Sequence, residues 1–135
     1  GIFSFLSENT IPIRLAVIHD KHPLICSVWF SVDAETLVIS CVSHGKSQLV
    51  KSLMDDPRVG FEIALNEPPY KGVRGKGNAK LTQENVSNSL QEVIVRFLGS
   101  TNSNLARWLL GRAEEEYVIK ITPSWITSWD YSERM

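Results

Sequence analysis

The chain has 135 residues, of which 43% are hydrophobic and 21% are charged, a composition typical of a soluble globular protein. Its formal net charge of -1 gives no electrostatic basis for nucleic-acid binding. No apolar run approaches the ~18 residues of a membrane-spanning helix. The length predicts one domain over residues 1–135, built around a single core.

Two cysteines, Cys26 and Cys41, lie in what the pattern predicts to be successive strands, without CxxC or metal-ligand spacing. We expect both to be buried free thiols, which fits the reducing cytosol.

The first residues lack a basic segment followed by a cleavage pattern, so the sequence predicts a cytoplasmic protein. The three histidines are scattered and predict no metal site.

The first third of the chain predicts antiparallel strands joined by tight turns. Residues 13–18 form a short apolar strand, and a tip over residues 19–23 leads to a longer strand over residues 24–32. Residues 33–35 predict a hairpin turn, and the next strand covers residues 36–42. This succession favours an antiparallel sheet.

The hydrophobic period then changes from that of a strand to that of a helix. Ser43 is the predicted N-cap of this helix, and Pro57 ends it. A strand pattern resumes over residues 59–65. The apolar stripe of the predicted helix consists of Leu49, Val50, Leu53 and Met54.

Residues 71–81 alternate strictly, which predicts a strand with two very different faces. One face carries Gly75 and Gly77, so something must approach its backbone closely. The glycines therefore indicate either a flat ligand or partner subunit against this face, or a bend of the barrel. The opposite face carries Arg74, Lys76, Asn78 and Lys80.

Two further helices are predicted, over residues 84–98 and around residues 105–109, with Gly99 and Gly111 as their ends. Strand patterns return at residues 117–121 and 125–129. About six to seven strands that are mainly antiparallel, with about three helices between them, predict an α+β split β-barrel.

Five segments, in this order, resemble the pyridoxamine 5′-phosphate oxidase-like family of FMN-binding split barrels. One of them, residues 53–59, has the sequence Leu-Met-Asp-Asp-Pro-Arg-Val and is similar to a recurrent segment of that family. Together the segments span most of residues 10–135. They are residues 23–30, 43–47, 53–61, 68–77 and 122–131, the last with Arg134 and Met135.

The resemblance implies a homodimer in which two subunits share each FMN site. The flavin ring edge would meet the backbone of one strand, and the phosphate would bind at a turn before a helix, where free N–H groups and the positive end of the helix dipole meet. The cofactor-binding residues implied at the ring edge are Ser27, Val28 and Trp29. Those implied at the phosphate turn are Ser43, Lys46, Ser47 and Gln48, and Tyr70, Lys71 and Arg74 complete the set.

Oxidases of this family usually have a basic pair after the serine of the turn, whereas here Ser47 is followed by Gln48 and Leu49. Lys46, Lys51 or Arg74 would have to supply the charge. The implied function is an FMN-dependent oxidoreductase acting on a small-molecule substrate. A non-catalytic flavin carrier and a deazaflavin-dependent reductase remain open as alternatives. No acid–base pair stands out, so no catalytic residue is assigned.

Overall fold

A computed structural model describes residues 1–133 as seven strands and four α-helices, which confirms the α+β class. The terminal Arg134 and Met135, part of the resemblance above, lie outside the described residues. The strands are β1 (Ile13–His19), β2 (His22–Val28), β3 (Phe30–Val32), β4 (Ile39–His44), β5 (Arg58–Ala64), β6 (Lys71–Thr82) and β7 (Glu116–Asp130). The helices are α1 (Ile2–Glu8), α2 (Gln48–Asp55), α3 (Val86–Leu98) and α4 (Asn104–Leu110), and a 3-10 turn covers Ala113–Glu115.

All seven strands belong to one sheet, in the order β2-β1-β5-β6-β7-β4-β3, and every neighbouring pair is antiparallel. The two edge strands, β2 and β3, are consecutive in sequence and separated only by Trp29. The sheet must therefore curl until its two edges approach each other. The gap between them is the split of the barrel.

The core fills the inside of this curl. Large side chains of β1, β3 and β4, among them Leu15, Phe30 and Ile39, are fully buried, and α2 adds Val50 to the same cluster. A second, smaller cluster joins α3 to α4 around Leu90, Val93, Ile94 and Ala106. No described helix is long and apolar enough to cross a membrane.

Three strand boundaries differ from the prediction. The strand expected over residues 24–32 is divided at Trp29, because β2 pairs with β1 whereas β3 pairs with β4. The strand expected from residue 36 begins at Ile39, because Leu37 has a positive φ of 60°. The strands expected over residues 117–121 and 125–129 are one 15-residue strand with a bulge opposite Lys76 and Gly77.

The helices also differ in part. Helix α1 was not predicted; its seven residues bury Leu6. Ser43 is not the N-cap of α2, because it belongs to β4; the cap is Ser47, whose hydroxyl accepts a hydrogen bond from the N–H of Val50. Met54 was expected in the buried stripe of α2 and is 54% exposed.

The glycine face of β6 points into the barrel. A Cβ added at Gly75 would lie 2.4 Å from the main-chain oxygen of Trp125, and one added at Gly77 would lie 2.2 Å from that of Thr122. Both neighbours belong to β7 of the same chain, beside the bulge. Of the two interpretations left open by the sequence, the barrel bend therefore agrees with the structure, and a flavin or partner against these glycines does not.

Candidate functional site

Residues 43–48 include the end of β4, the connection to α2 and the first residue of α2, and we call this segment the 43–48 turn. The β4–β7 pairing brings His44 opposite Glu116, and Gly45 then donates its N–H to the oxygen of Glu115 at 2.8 Å. The chain reverses there, because the N–H of Ser47 donates to the oxygen of His44 at 2.9 Å. The start of α2 is thus fixed against the start of β7.

Two serine hydroxyls meet in this turn. Ser43 Oγ donates to Ser47 Oγ at 2.9 Å, and the N–H of Val50 donates to the same Ser47 oxygen at 3.1 Å. Since Ser47 accepts both bonds, its own hydroxyl proton is left to donate to a further acceptor. The N–H groups of Gln48 and Leu49 also have no acceptor within α2, by helix geometry.

Positive charge is present at this start of α2, although the carboxylate of Glu115 lies 3.3 Å from Nε2 of His44 in the same turn. The side chains of Lys46 and Lys51 are exposed, and the N-terminal end of a helix carries a partial positive charge. Together with the Ser47 hydroxyl, these groups form a donor set suited to a small anion such as a phosphate group.

The side chain of Gln48 is engaged elsewhere. Its amide nitrogen donates to Ser52 Oγ at 3.2 Å and lies 3.0 Å from Nδ1 of His19, at the end of β1. Only the main-chain N–H of Gln48 is therefore left for an anion at the turn. No local pattern indicates the contact between Gln48 and His19, because the two residues are far apart along the chain.

The segment Ser27, Val28 and Trp29 lies where β2 ends at the split. The Trp29 ring stacks on Phe97 at 5.4 Å between centroids and packs against the α3–α4 cluster. Val28 packs on the main core, and Ser27 is exposed. Because β2 is an edge strand, some main-chain groups of this segment point away from β1.

The strands that carry this segment and the 43–48 turn lie close together. Strands β2 and β4 come into contact across the split. Trp29 and Val42, the neighbour of Ser43, also pack against the same α3–α4 cluster. The structure thus brings together the strands that carry two of the three groups of predicted site residues.

The third group lies on another part of the barrel. The oxygen of Tyr70 accepts a hydrogen bond from the N–H of Tyr131 at 2.9 Å, and Lys71 pairs with Asp130. The guanidinium of Arg74 lies 5.4 Å from the centre of the Trp129 ring. Lys71 lies beside Asp130, the last residue of β7, whereas His44 of the 43–48 turn lies beside Glu116, the first one. Within one chain the length of β7 therefore separates the third group from the 43–48 turn.

Arg74 borders an apolar surface on the outside of the sheet, which we call the outer sheet face. A groove of about 300 Å³ crosses it. Ile25 is 68% exposed and Trp125 is 48% exposed, on either side of the small residues Ala16 and Gly60. The outer sheet face comprises Ala16, Ile18, Ile25, Gly60 and Trp125.

Ionisable groups near the turn are partly withdrawn from water. Burial raises the pKa of Glu116, although the charge of Arg112 opposes that shift, and its buried Oε2 has no hydrogen-bond partner among residues 1–133. Burial raises the pKa of Cys41 to about 12. Both cysteines are free, as predicted, but only Cys41 is buried, and Cys26 is half-buried. Among the described residues no cluster of His, Cys, Asp or Glu could hold a metal ion.

No family model and no curated protein matches the sequence significantly. The fold, in contrast, matches many solved structures. One is a conserved hypothetical protein from Mycobacterium tuberculosis, 22% identical, with a TM-score of 0.83 over 98% of this chain and 84% of that one. An F420 reductase is 18% identical, with a TM-score of 0.72 over 92% of this chain and 94% of that one.

A candidate pyridoxamine 5′-phosphate oxidase from Listeria innocua is also 18% identical, with a TM-score of 0.71 over 97% of this chain and 95% of that one. At these identities the likeness establishes the fold. The order of strands, the split at Trp29 and these neighbours agree with the resemblance found in the sequence. The chain therefore has the split-barrel fold of the pyridoxamine 5′-phosphate oxidase-like proteins.

Proposed function

We propose that this chain is a flavoprotein that binds FMN with its phosphate at the 43–48 turn and acts as an oxidoreductase on a small molecule. The observation that carries the proposal is the donor set at the start of α2. Ser47 has a hydroxyl proton to donate, Gln48 and Leu49 have open N–H groups, and Lys46 supplies a charge. The edge strand β2 carries Ser27 and Val28 and contacts β4, and its open backbone would suit the polar edge of a flavin ring.

The bound flavin would supply the hydride or electron transfer, and the protein would supply orientation, charge and exclusion of water. Two structural neighbours, an F420 reductase and a candidate pyridoxamine 5′-phosphate oxidase, support a ligand of the flavin type. A deazaflavin is the second candidate, because one structural neighbour is named an F420 reductase. Gln48 and Leu49, which stand where a basic pair would strengthen the hold on FMN, leave the choice of cofactor to experiment.

We also propose that two chains build each site. Tyr70, Lys71 and Arg74 are separate from the 43–48 turn within one chain, and the outer sheet face beside Arg74 exposes Ile25 and Trp125. A second copy packed on that face would cover the apolar side chains. It would also allow Tyr70, Lys71 and Arg74 of one chain to contact the ligand bound at the 43–48 turn of the other chain.

Titrations of the purified protein with FMN, riboflavin and a deazaflavin test this function. FMN should bind more tightly than riboflavin, which has no phosphate. The double change Lys46→Ala and Ser47→Ala should weaken FMN binding by about 2–4 kcal/mol, from one charge-assisted and one neutral hydrogen bond, and leave riboflavin binding nearly unchanged. Lys80→Ala, which removes an exposed charge on β6, is the control.

Equal losses for FMN and riboflavin would place the phosphate elsewhere, and a protein that binds none of the three ligands would contradict a flavin site. For a protein that does bind FMN, oxidation of a reduced nicotinamide separates an enzyme from a carrier. A carrier would hold the flavin without turnover.

A further inference from the structure

His44 lies within the 43–48 turn but was not among the predicted ligand-binding residues. Its Nδ1 accepts the main-chain N–H of Lys46 at 2.9 Å, and its Nε2 lies 3.3 Å from Oε2 of Glu115. A ring nitrogen that accepts a backbone N–H carries no proton, so the neutral imidazole has its proton on Nε2. That proton points to the Glu115 carboxylate, and one tautomer thus satisfies both contacts.

The imidazole performs the role that an Asn or Asp side chain has in many turns, where it accepts an N–H group two residues further along. Glu115 holds the turn a second time through its main chain, which accepts the N–H of Gly45 at 2.8 Å. Nε of Arg112 also lies 3.9 Å from Oε2 of Glu115.

Packing restricts the turn on the side of β7. A Cβ added at Gly45 would lie 3.0 Å from Cε2 of Tyr117 and 3.3 Å from the oxygen of Glu115. The turn therefore has little room to shift toward these residues. The next peptide along the chain, that of Lys46, is held by His44 through its N–H.

We propose that His44 is the positioning residue of the phosphate turn: by holding the Lys46 N–H, with Glu115 orienting its ring, it fixes the Ser47 hydroxyl and the first N–H groups of α2 in one arrangement. This inference rests on the proposed function. His44 would not touch the ligand, and it would occupy the Lys46 N–H so that the phosphate meets only the Ser47 hydroxyl, the open helix N–H groups and the Lys46 ammonium.

Three substitutions separate the two nitrogens of the ring. His44→Asn places an oxygen where Nδ1 accepts the Lys46 N–H, His44→Gln places an amide nitrogen nearer the position of Nε2, and His44→Ala removes both. Each variant is titrated with FMN and with riboflavin, and its thermal melting is measured. FMN affinity should stay within about threefold in the Asn variant and fall about tenfold in the Gln and Ala variants, with riboflavin affinity unchanged.

Glu115 provides a second variant that leaves the turn residues intact. Its side chain is 62% exposed, so Glu115→Ala should fold normally and lose about two- to fivefold in FMN affinity through a less constrained imidazole. Glu114→Ala, an exposed neighbour in the same 3-10 turn, is the matched control and should bind FMN as the unchanged protein does.

The outcomes separate this inference from the function on which it rests. A wild-type protein that prefers FMN to riboflavin, together with a His44→Ala variant of unchanged FMN affinity, would overturn the role of His44 alone. Parallel loss of FMN and riboflavin in all three His44 variants would also overturn it, since that result signals a general loss of structure. A wild-type protein without any preference for FMN would overturn the phosphate site itself.

Discussion

Arg96 shows how a single charged side chain can attach a short helix to the barrel. From α3 its guanidinium donates hydrogen bonds to the main-chain oxygens of Leu6, Ser7 and Asn9, at the end of α1. Its centre lies 4.7 Å from that of the Phe30 ring, and burial lowers its pKa. A seven-residue helix is too short to be stable alone, so α1 depends on such contacts.

Replacing Arg96 with Met should release α1 while keeping an apolar stem against Phe30. We expect a loss of about 1–3 kcal/mol in the free energy of unfolding, with faster hydrogen exchange confined to residues 2–9. Arg107→Met on α4 is the control, because Arg107 is exposed and its side-chain hydrogen bond is to the nearby Asn104. Unchanged hydrogen exchange of the α1 amides would show that apolar packing alone keeps α1 attached to the barrel.

Glu116 is a second residue whose environment predicts a measurable effect. Only 5% of it is exposed, and its raised pKa means that the folded protein binds the proton more tightly than the unfolded chain does. Its contribution to stability is therefore greatest at low pH and is lost as the pH rises from its ordinary value of 4.5 through the raised one.

Glu116→Gln removes the buried charge and keeps the shape of the side chain. We expect its melting temperature to exceed that of the wild-type protein by a few degrees at neutral pH, and the difference to vanish near pH 4. Melting curves at both pH values check this, with Glu114→Gln as the exposed control. A difference that is the same at both pH values would mean that charge burial is not its cause.

Individual site residues were predictable to different degrees. The motif located Ser47 and Lys46 correctly beside a helix start, because that arrangement is local in sequence. The choice between Ser43 and Ser47 as N-cap depends on how far β4 stays paired with β7, and Ser43 pairs with the distant Tyr117. The contact of Gln48 with His19 depends on tertiary packing in the same way.

At the scale of single strands, alternation in the sequence located the buried faces but not the ends of strands. The predicted strand is divided at Trp29 because the residues on its two sides belong to β2 and β3, the opposite edges of the curled sheet. The local alternation of the sequence does not indicate this change of partner. The merging of the last two predicted strands depends on a bulge that accommodates Pro123 opposite Gly77. Helix α1 was missed because only Leu6 in it is buried.

The glycine strand makes a prediction at this scale. Because the missing Cβ of Gly75 would also lie 2.6 Å from Cζ of Phe61, Gly75→Val should lower stability by about 1–3 kcal/mol through overpacking. Lys76→Val places the same side chain on the exposed face of β6 and should be nearly neutral. Denaturant unfolding compares the two, and a Gly75→Val protein as stable as the control would refute the close-packing explanation.

At the scale of the whole molecule, the outer sheet face is the surface that a second copy would cover. Residues of four neighbouring strands cross it in one row: Ile25 pairs with Ala16, Ala16 with Gly60, and Gly60 with Lys76. Small residues in the middle of this row leave a shallow groove between Ile25 and Trp125. In a two-fold symmetric dimer, the same face of each chain would form the interface, so each residue of the outer sheet face would occur in it twice.

Ile25→Lys should therefore place two charges in the proposed interface and yield a particle with the mass of one chain, because a buried unpaired charge is strongly unfavourable. Light scattering measures this mass. Leu105→Lys, at a 47% exposed position on α4, is the matched control and should leave the mass unchanged. A wild-type protein that is already monomeric at micromolar concentration would contradict the shared site.

The pairing of β6 with β7 has a consequence for synthesis on the ribosome. Helices α3 and α4 separate the two strands in sequence, so β6 emerges well before its partner, on the order of several seconds at ~5–20 residues per second. Its free edge could meanwhile pair with other nascent chains, and its alternating cations oppose this. We expect chains stalled before β7 to aggregate more once Lys76 and Lys80 are replaced by Val, as sedimentation of ribosome-bound chains would show.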